Sequence, residues 1–298
     1  MKSHVNTRRL RRTMLTRRLP TALPRVARRS LSTLVGGYGH TVSSQGGGFF
    51  TLTLSRPEVH NAINAEMIHA VSASLDGLAA TEGLRAVFVR GDASAKSFCA
   101  GGDLQWMRAA AELTTEENEA DALALSRMLQ KLATLPCATV ALAHGNAFGG
   151  GVGIISACDV AVGVRSAVFA LSEAKLGLIP ATISPYVVPR IGPAQARRYF
   201  LTAERFDATR AREIGLLHEL ADDADGLERW ATDLRAALQL CAPSAVAAGK
   251  ELITAVQLRE RDDELLQDTA RRLSMQRESP EGKEGIGAFL AKRSPAWV

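Results

Sequence analysis

Two glycine-rich stretches are the parts of this chain best suited to hold an anion with backbone groups. They cover 97–103, Ser-Phe-Cys-Ala-Gly-Gly-Asp, and 144–153, His-Gly-Asn-Ala-Phe-Gly-Gly-Gly-Val-Gly. Glycine permits backbone conformations closed to other residues, so such turns can present free amide hydrogens to a ligand. A helix after the second stretch would add its positive end. Either stretch taken alone is also explained by tight helix packing or an ordinary turn.

Neither stretch has the spacing of a nucleotide site. The residues 145–150 lack the G-x-G-x-x-G pattern, and no Gly-Lys-Ser/Thr follows them. The cysteines stand far apart, without a Cys-x-x-Cys pair or a histidine at metal-ligand spacing; they are Cys99, Cys137, Cys158 and Cys241. We therefore expect no metal site and no disulfide framework, and we interpret the thiols as small buried groups in a reducing compartment.

Alternating strands and helices must position these stretches. Apolar runs predict strands over 49–54, 86–90, 139–143, 160–164 and 168–171, and helical spacing predicts helices over 65–80 and 114–135. After Pro189 the pattern becomes helical, over 193–202, 207–215, 225–242, 244–258 and 262–279. Such alternation predicts an α/β fold with an early hairpin, mostly parallel pairing and right-handed crossovers. We expect one domain over 37–298, with a core at about 47–240 and a helical C-terminal region at about 190–298.

Taken together and in this order, the two stretches resemble the enoyl-CoA hydratase/isomerase (crotonase) family, from about Gly47 to the C-terminus. Further similar segments are 56–64 (Arg-Pro-Glu-Val-His-Asn-Ala-Ile-Asn), 172–180 (Ser-Glu-Ala-Lys-Leu-Gly-Leu-Ile-Pro), 201–206, 211–217 and 285–293. The resemblance implies a crotonase-like ββα spiral core with a helical extension. It also implies an acyl-CoA substrate, no metal or redox cofactor, and a trimer or a pair of trimers.

The same resemblance assigns roles to individual residues. The amides of Gly102 and Gly150 would form an oxyanion hole for the thioester oxygen, and Glu173 would exchange a proton with the α-carbon. Residues implied to contact CoA or substrate are His60, Ala62, Ile63, Ala100, Asp103 and Leu104. From a neighbouring subunit, Phe289 and Lys292 would reach the CoA pocket.

One position departs from the family pattern. Hydratases of this family usually carry a second glutamate just after the glycine run, and here that position is Gly153. Water would then be held by Glu173 and backbone groups, or by Ser184 or Tyr186. Because isomerisation needs only one carboxylate, the missing glutamate leaves enoyl-CoA isomerase as the main rival to hydratase. The residues that make up these motifs look most like those of the branch that hydrates 3-methylglutaconyl-CoA or γ-carboxygeranoyl-CoA.

Three other polar residues near the motifs are candidates for chemistry. We interpret Asp103 and Asp159 as structural, with Asp159 capping or pairing at a strand end. His144 is interpreted as a packing or hydrogen-bonding residue where the chain leaves a strand rather than as a general base.

The net charge is concentrated in the first 36 residues. These hold Lys2, nine arginines and no acid, a charge of +10, so the total of +5 leaves −5 over 37–298. A segment rich in Arg, Ser and Thr predicts a mitochondrial transit peptide over 1–36 and a place in the matrix. A retained arm that binds RNA or anionic lipid is the alternative. The acidic body does not favour nucleic acid, and no apolar run is long enough to span a membrane.

Overall fold

Two β-sheets and ten helices make up the part of the chain that the structure describes. The structure is a computed structural model, and it describes residues 36–298. The strands are β1 (His40–Ser44), β2 (Phe49–Leu54), β3 (Ala86–Gly91), β4 (Ser97–Cys99), β5 (Ala138–Ala143), β6 (Asn146–Phe148), β7 (Val160–Val164), β8 (Val168–Ala170), β9 (Arg205–Asp207) and β10 (Glu219–Ala221). The predicted transit peptide lies outside the described residues except for Gly36.

Helices separate most of the strands, and the last four form a run at the C-terminus. They are α1 (Ala65–Ala79), α2 (Leu104–Ala110), α3 (Thr115–Ala133), α4 (Gly150–Ala157), α5 (Ser184–Thr202), α6 (Ala208–Glu213), α7 (Ala224–Gln239), α8 (Pro243–Val256), α9 (Asp263–Glu278) and α10 (Pro280–Leu290). None of the helices from residue 36 onward is long and apolar enough to cross a bilayer.

The larger sheet has six strands in the order β1-β2-β3-β5-β7-β10. Strands β1 and β2 form the predicted hairpin, whose turn has positive φ at Gly46, Gly47 and Gly48. The remaining pairs are parallel, with β2 beside β3, β3 beside β5, and β5 beside β7. Parallel pairing needs crossovers, and the helices supply them. The predicted α/β class is confirmed.

The core lies between this sheet and the helices α1, α3 and α4. Apolar side chains at helical spacing bury one face of α1, and the capping box of Thr114 and Glu117 begins α3. The interior side chains that meet here are Leu52, Leu54, Ile63, Met67, Val71, Leu75, Val89, Met128, Leu132 and Ile154. Close packing of these side chains holds the larger sheet in place.

Of the four strands of the smaller sheet, the sequence predicted only β8, at 168–171. The smaller sheet has the order β4-β6-β8-β9, with β4, β6 and β8 parallel and β9 antiparallel to β8. Strands β4 and β6 lie inside the two glycine-rich stretches. Strands of three residues are too short to show an alternating pattern, and this explains why the other three were missed.

The helical prediction after Pro189 needs three corrections. Strands β9 and β10 interrupt the region, and α10 was not predicted. Helix α5 starts earlier than expected and contains a non-helical residue, Gly192, at φ 75° and ψ 154°. The predicted helix 193–202 is thus the second half of α5. Cys241 is exposed, whereas the other three cysteines are buried as expected.

Candidate active site

Three parallel strands of the smaller sheet end at one edge, and each is followed by one of the predicted catalytic residues. Strand β4 leads to Gly102, β6 leads to Gly150, and β8 leads to Glu173. Neighbouring strands lie about 4.8 Å apart, so the strand order brings the three residues together. The two glycine-rich stretches therefore meet across this edge, although 47 positions separate Gly102 from Gly149 in the sequence.

Gly102 is held by a short bridge to Ile63. The amide of Ile63 donates to the Gly101 carbonyl at 2.8 Å, and the amide of Asp103 donates to the Ile63 carbonyl at 2.8 Å. Since successive peptide groups of an extended chain point to opposite sides, the Gly102 amide faces away from Ile63. Gly101 has φ +90°, a conformation that favours glycine. The Gly102 amide is therefore not used in the bridge, and it faces the cleft that Gly102 lines at this edge of the smaller sheet.

Gly149 and Gly150 form the turn from β6 into α4. Gly149 has φ +46°, and its amide donates to the Ala170 carbonyl at 3.0 Å. Gly150 is the first residue of α4, so its amide has no partner inside the helix. A Cβ added to Gly150 would lie 2.8 Å from Cδ1 of Ile63. A side chain at position 150 would therefore require Ile63 to shift.

Glu173 places its carboxylate directly over this turn. A Cβ built on Gly149 would lie 3.0 Å from Oε1 of Glu173. The other oxygen, Oε2, is buried and has no hydrogen-bond partner within the described residues. Burial raises the pKa of Glu173 above its ordinary value. A half-buried carboxylate whose buried oxygen has no donor is suited to take up and return a proton.

The position of the usual second glutamate is filled by another side chain. A Cβ added to Gly153 would lie 2.3 Å from Cγ2 of Ile183, a residue that is 2% exposed. Gly153 is helical, so packing rather than backbone conformation keeps a side chain out. Of the two residues expected to hold water in place of that glutamate, Ser184 donates its hydroxyl to the Ala181 carbonyl at 2.7 Å.

A cleft of about 950 Å³ opens at this edge. Of the residues implied to contact CoA or substrate, five line it, namely His60, Ala62, Ala100, Asp103 and Leu104. Ile63 is 1% exposed; its backbone is bridged to that of Gly102, and its side chain packs against Gly150. Phe289 and Lys292 are exposed at the end of α10 and are not among the residues that line the cleft of their own chain.

Asp103 is occupied by structural partners. It accepts a hydrogen bond from Arg56 at 2.8 Å and caps α2 by accepting from the amides of Gln105 and Trp106. Burial alone would raise the pKa of Asp103, but the hydrogen bond from Arg56 and the two amides hold it below its ordinary value. The side chain thus stabilises the turn that carries Gly102.

Asp159 and His144 also have structural contacts. Asp159 accepts from the amide and the hydroxyl of Thr139, both at 2.8 Å, and from Lys250 at 2.7 Å. The Nε2 atom of His144 lies 3.1 Å from the Ala95 carbonyl, and burial lowers the pKa of His144. These contacts agree with the structural roles expected for both residues.

Four cations that line the cleft were not singled out from the sequence. They are Arg56, Arg108, Lys175 and Arg205. Arg56 is buried and bonded to Asp103, while Arg205 lies with its guanidinium carbon 5.6 Å from the centre of the Phe148 ring. Lys175 and Arg205 fall in segments that resemble the family, but a basic residue in such a segment gives no sign that it faces a cleft.

Comparison with known proteins finds similarity over most of the chain. Residues 44–298 match the family described as enoyl-CoA hydratase/isomerase. Over 216 residues, 72% of this chain and 70% of the relative, the sequence is 35% identical to an enoyl-CoA hydratase, ACTT6, of Alternaria alternata. It is 30% identical to the 1,2-epoxyphenylacetyl-CoA isomerase of Escherichia coli over 259 residues, covering 84% of this chain and 95% of the relative.

A solved structure shows the same fold. The crystal structure of an enoyl-CoA hydratase from Shewanella pealeana superposes with a TM-score of 0.83 at 38% identity. The match covers 87% of this chain and 96% of the other. The overall fold of this chain is therefore shared with that structure.

Proposed function

The chain belongs to the enoyl-CoA hydratase/isomerase family, and from that premise we propose that it adds water to an enoyl-CoA thioester, with Glu173 as its single catalytic carboxylate. The observation that carries the proposal is the buried, unpartnered Oε2 of Glu173 beside the Gly149–Gly150 turn. Hydration and isomerisation both fall within the family, and relatives with each activity in their names are similar to this chain.

In this proposal the carboxylate transfers the proton, and the two amides stabilise the enolate. Charged Glu173 accepts a proton from water while the water oxygen bonds to the β-carbon. The electrons of the double bond move to the thioester oxygen, where the amides of Gly102 and Gly150 stabilise the enolate. Protonated Glu173 then gives its proton to the α-carbon. One water molecule has been added, and the carboxylate is restored.

Isomerisation is the second candidate, and one contact favours it. Ile183 fills the space beside Gly153, so no second carboxylate can help to hold water there. A single carboxylate can take a proton from the α-carbon of a 3-enoyl thioester and return it to the γ-carbon, with the same enolate between the two steps.

Product analysis in labelled water separates the two candidates. Purified protein is incubated with 2-enoyl and 3-enoyl CoA thioesters in H₂¹⁸O, and the products are resolved by mass spectrometry. Hydration predicts a 3-hydroxyacyl product that carries the label. Conversion of the 3-enoyl ester to the 2-enoyl ester without uptake of the label would reject hydration in favour of isomerisation.

For the acyl group we propose 3-methylglutaconyl-CoA or another branched, carboxylated enoyl-CoA. The support is that the residues in segments 98–107, 145–150 and 180–186 resemble those of the branch that hydrates such esters. Rates measured with branched and straight esters, with and without a terminal carboxylate, test this choice. A preference for straight, uncharged esters would exclude it.

The proposed location is the mitochondrial matrix after removal of residues 1–36. The support is the charge of +10 in that segment, set against −5 over the remainder. N-terminal sequencing of the protein from its native source tests this, and an intact Met1 would contradict it. An RNA-binding role is the remote alternative; it predicts that full-length protein retains RNA and that protein lacking 1–36 does not.

The proposed assembly is a trimer or a pair of trimers. Its support is a set of exposed apolar side chains on and between the C-terminal helices, comprising Ile253, Leu258, Leu266, Met275, Ile286, Phe289 and Leu290. Apolar groups concentrated in one region are typical of an interface. Light scattering at micromolar concentration tests the proposal, and a monomeric mass would reject it.

A further inference from the structure

The strand order of the smaller sheet also indicates how a substrate would lie along the cleft. Outside β4 lies the turn that contains His60 and Ala62, which resembles the family's CoA-contacting segment. The Ala100 amide donates to the His60 carbonyl at 3.1 Å, so this turn is fixed to the β4 side. On the opposite side of Glu173 lies β9, which begins at Arg205. CoA and the distal end of the acyl group would therefore point to opposite ends of the edge.

Arg205 stands at the β9 end of this edge by direct strand pairing. It pairs with Ala170 at the end of β8, and Ala170 pairs with Phe148 at the end of β6. The guanidinium lies against the Phe148 ring, and both residues line the cleft. Strands β6 and β9 are two spacings apart, about 10 Å. An arginine side chain can reach from that distance toward the carbons beyond Glu173.

The charge of Arg205 has no protein counterion within the described residues, whereas nearby cations and acids are paired with each other. Arg198 and Glu204 form a two-fold hydrogen-bonded pair at 2.7 and 3.1 Å. Asp207 caps α6 through the Arg210 amide at 2.7 Å. The acids adjacent to Arg205 in sequence are thus committed to other groups. A cation that lines a cleft without a partner is available to an anionic ligand.

We propose that Arg205 binds a carboxylate at the distal end of the substrate's acyl group and so selects carboxylated enoyl-CoA esters over uncharged ones. This inference deepens the proposed function and rests on it for the direction in which the ester lies. Arginine suits the role because its planar fork can donate two parallel hydrogen bonds to one carboxylate. Arg205 is a specificity-determining residue in this account and takes no part in proton transfer.

Arg108 and Lys175 are the other exposed cations that line the cleft, and of these two Lys175 follows Glu173 in the chain. It lies on the 3-10 turn Glu173–Leu176, two residues after the carboxylate and on the same strand end. A lysine there would meet carbons close to the reacting centre, whereas Arg205 is one strand further away. The strand position favours Arg205 for a distal group, and the experiment includes Lys175 as a competitor.

Binding of saturated esters tests the inference without relying on turnover. Dissociation constants of 3-methylglutaryl-CoA and 3-methylbutyryl-CoA are measured by calorimetry, because these esters differ at the distal carboxylate and cannot be hydrated. Full-length wild-type protein is compared with Arg205→Gln, Arg205→Lys and Lys175→Gln. Arg212→Gln, an exposed arginine on α6 that is not among the residues lining the cleft, is the matched control.

The expected result is a preference of wild-type protein for the carboxylated ester by about tenfold or more. Arg205→Gln should remove the preference, Arg205→Lys should keep part of it, and Arg212→Gln should retain it. An equal loss of affinity for both esters would assign Arg205 to CoA and overturn the inference. So would an unchanged preference in Arg205→Gln, or its loss in Lys175→Gln alone.

These binding data, taken together with the hydration assay in labelled water, separate this inference from the proposed function. If wild-type protein prefers the carboxylated ester through Arg205 but hydrates none of the 2-enoyl esters, the hydratase proposal fails and the recognition by Arg205 stands. If wild-type protein hydrates uncharged esters and shows no preference for the carboxylated ligand, the hydratase proposal stands and the recognition by Arg205 is rejected.

Discussion

Two carboxylates at strand ends have opposite surroundings. Asp159, just before β7, accepts three hydrogen bonds on one oxygen, from the amide and hydroxyl of Thr139 and from Lys250. Glu173, just after β8, has a buried oxygen with no donor among the described residues. Donors stabilise the charged form, and burial without them destabilises it. The contrast explains why Asp159 is suited to hold two elements together and Glu173 to move a proton.

The first prediction is a substitution at Glu173, and it has the largest expected effect. Glu173→Gln keeps the shape of the side chain and removes its ability to accept a proton. We expect kcat to fall by about 10²–10⁴-fold, with KM changed far less, because binding depends on backbone amides and the remote CoA contacts. Steady-state kinetics with an enoyl-CoA substrate measure this, and Asp159→Asn serves as the control that keeps its rate.

The second prediction places a carboxylate at Gly153, the position of the usual second glutamate. Gly153→Glu would bring a Cβ to 2.3 Å from Cγ2 of Ile183, so we expect the free energy of unfolding to fall by about 1–3 kcal/mol or more. Denaturant titration measures the loss. Gly249→Glu is the matched control, since a Cβ on Gly249 in α8 would meet nothing within 4 Å.

A double variant tests whether Ile183 is the cause. Gly153→Glu combined with Ile183→Ala should be less destabilised than the two single variants predict together, because the alanine frees the space that the glutamate needs. Additive losses would show that Ile183 does not block this position.

The third prediction is a substitution at Asp159, the carboxylate with three donors. Asp159→Asn removes the charge that Lys250 pairs with, so we expect a loss of about 1–3 kcal/mol in the free energy of unfolding. Asp222→Asn is the control, because its pair with Arg165 is largely exposed and such pairs contribute about 0–1 kcal/mol. Equal stability of the two variants would remove the structural role given to Asp159.

The fourth prediction concerns pH and has the smallest expected effect. Burial raises the pKa of Glu173, so the folded chain binds this proton more tightly than the unfolded chain. Stability therefore falls as pH rises from the ordinary glutamate pKa through the raised one. Glu173→Gln lacks the group, so its Tm should exceed that of wild type at neutral pH, with a gain that shrinks in acid. A Tm difference independent of pH would contradict this.

The sequence predicted the larger sheet and the two glycine-rich turns better than the smaller sheet that joins those turns. Apolar runs in β3 and β5 and the glycines of both stretches are local features, and their pattern is visible in the chain. The short strand β9 has no readable pattern, and the cleft position of Arg205 depends on its pairing with β8. The contact between Gly153 and Ile183 joins residues 30 positions apart through packing, which spacing does not reveal.

Proton exchange at the α-carbon tests the role of Glu173 most directly, because hydration and isomerisation both require it. A saturated acyl-CoA such as 3-methylbutyryl-CoA is incubated in D₂O with wild type or Glu173→Gln, and loss of the α-proton signal is followed by NMR. We expect exchange by wild type and a rate at least about 10²-fold lower in the variant. Exchange at the wild-type rate by folded Glu173→Gln protein would show that another group carries the proton.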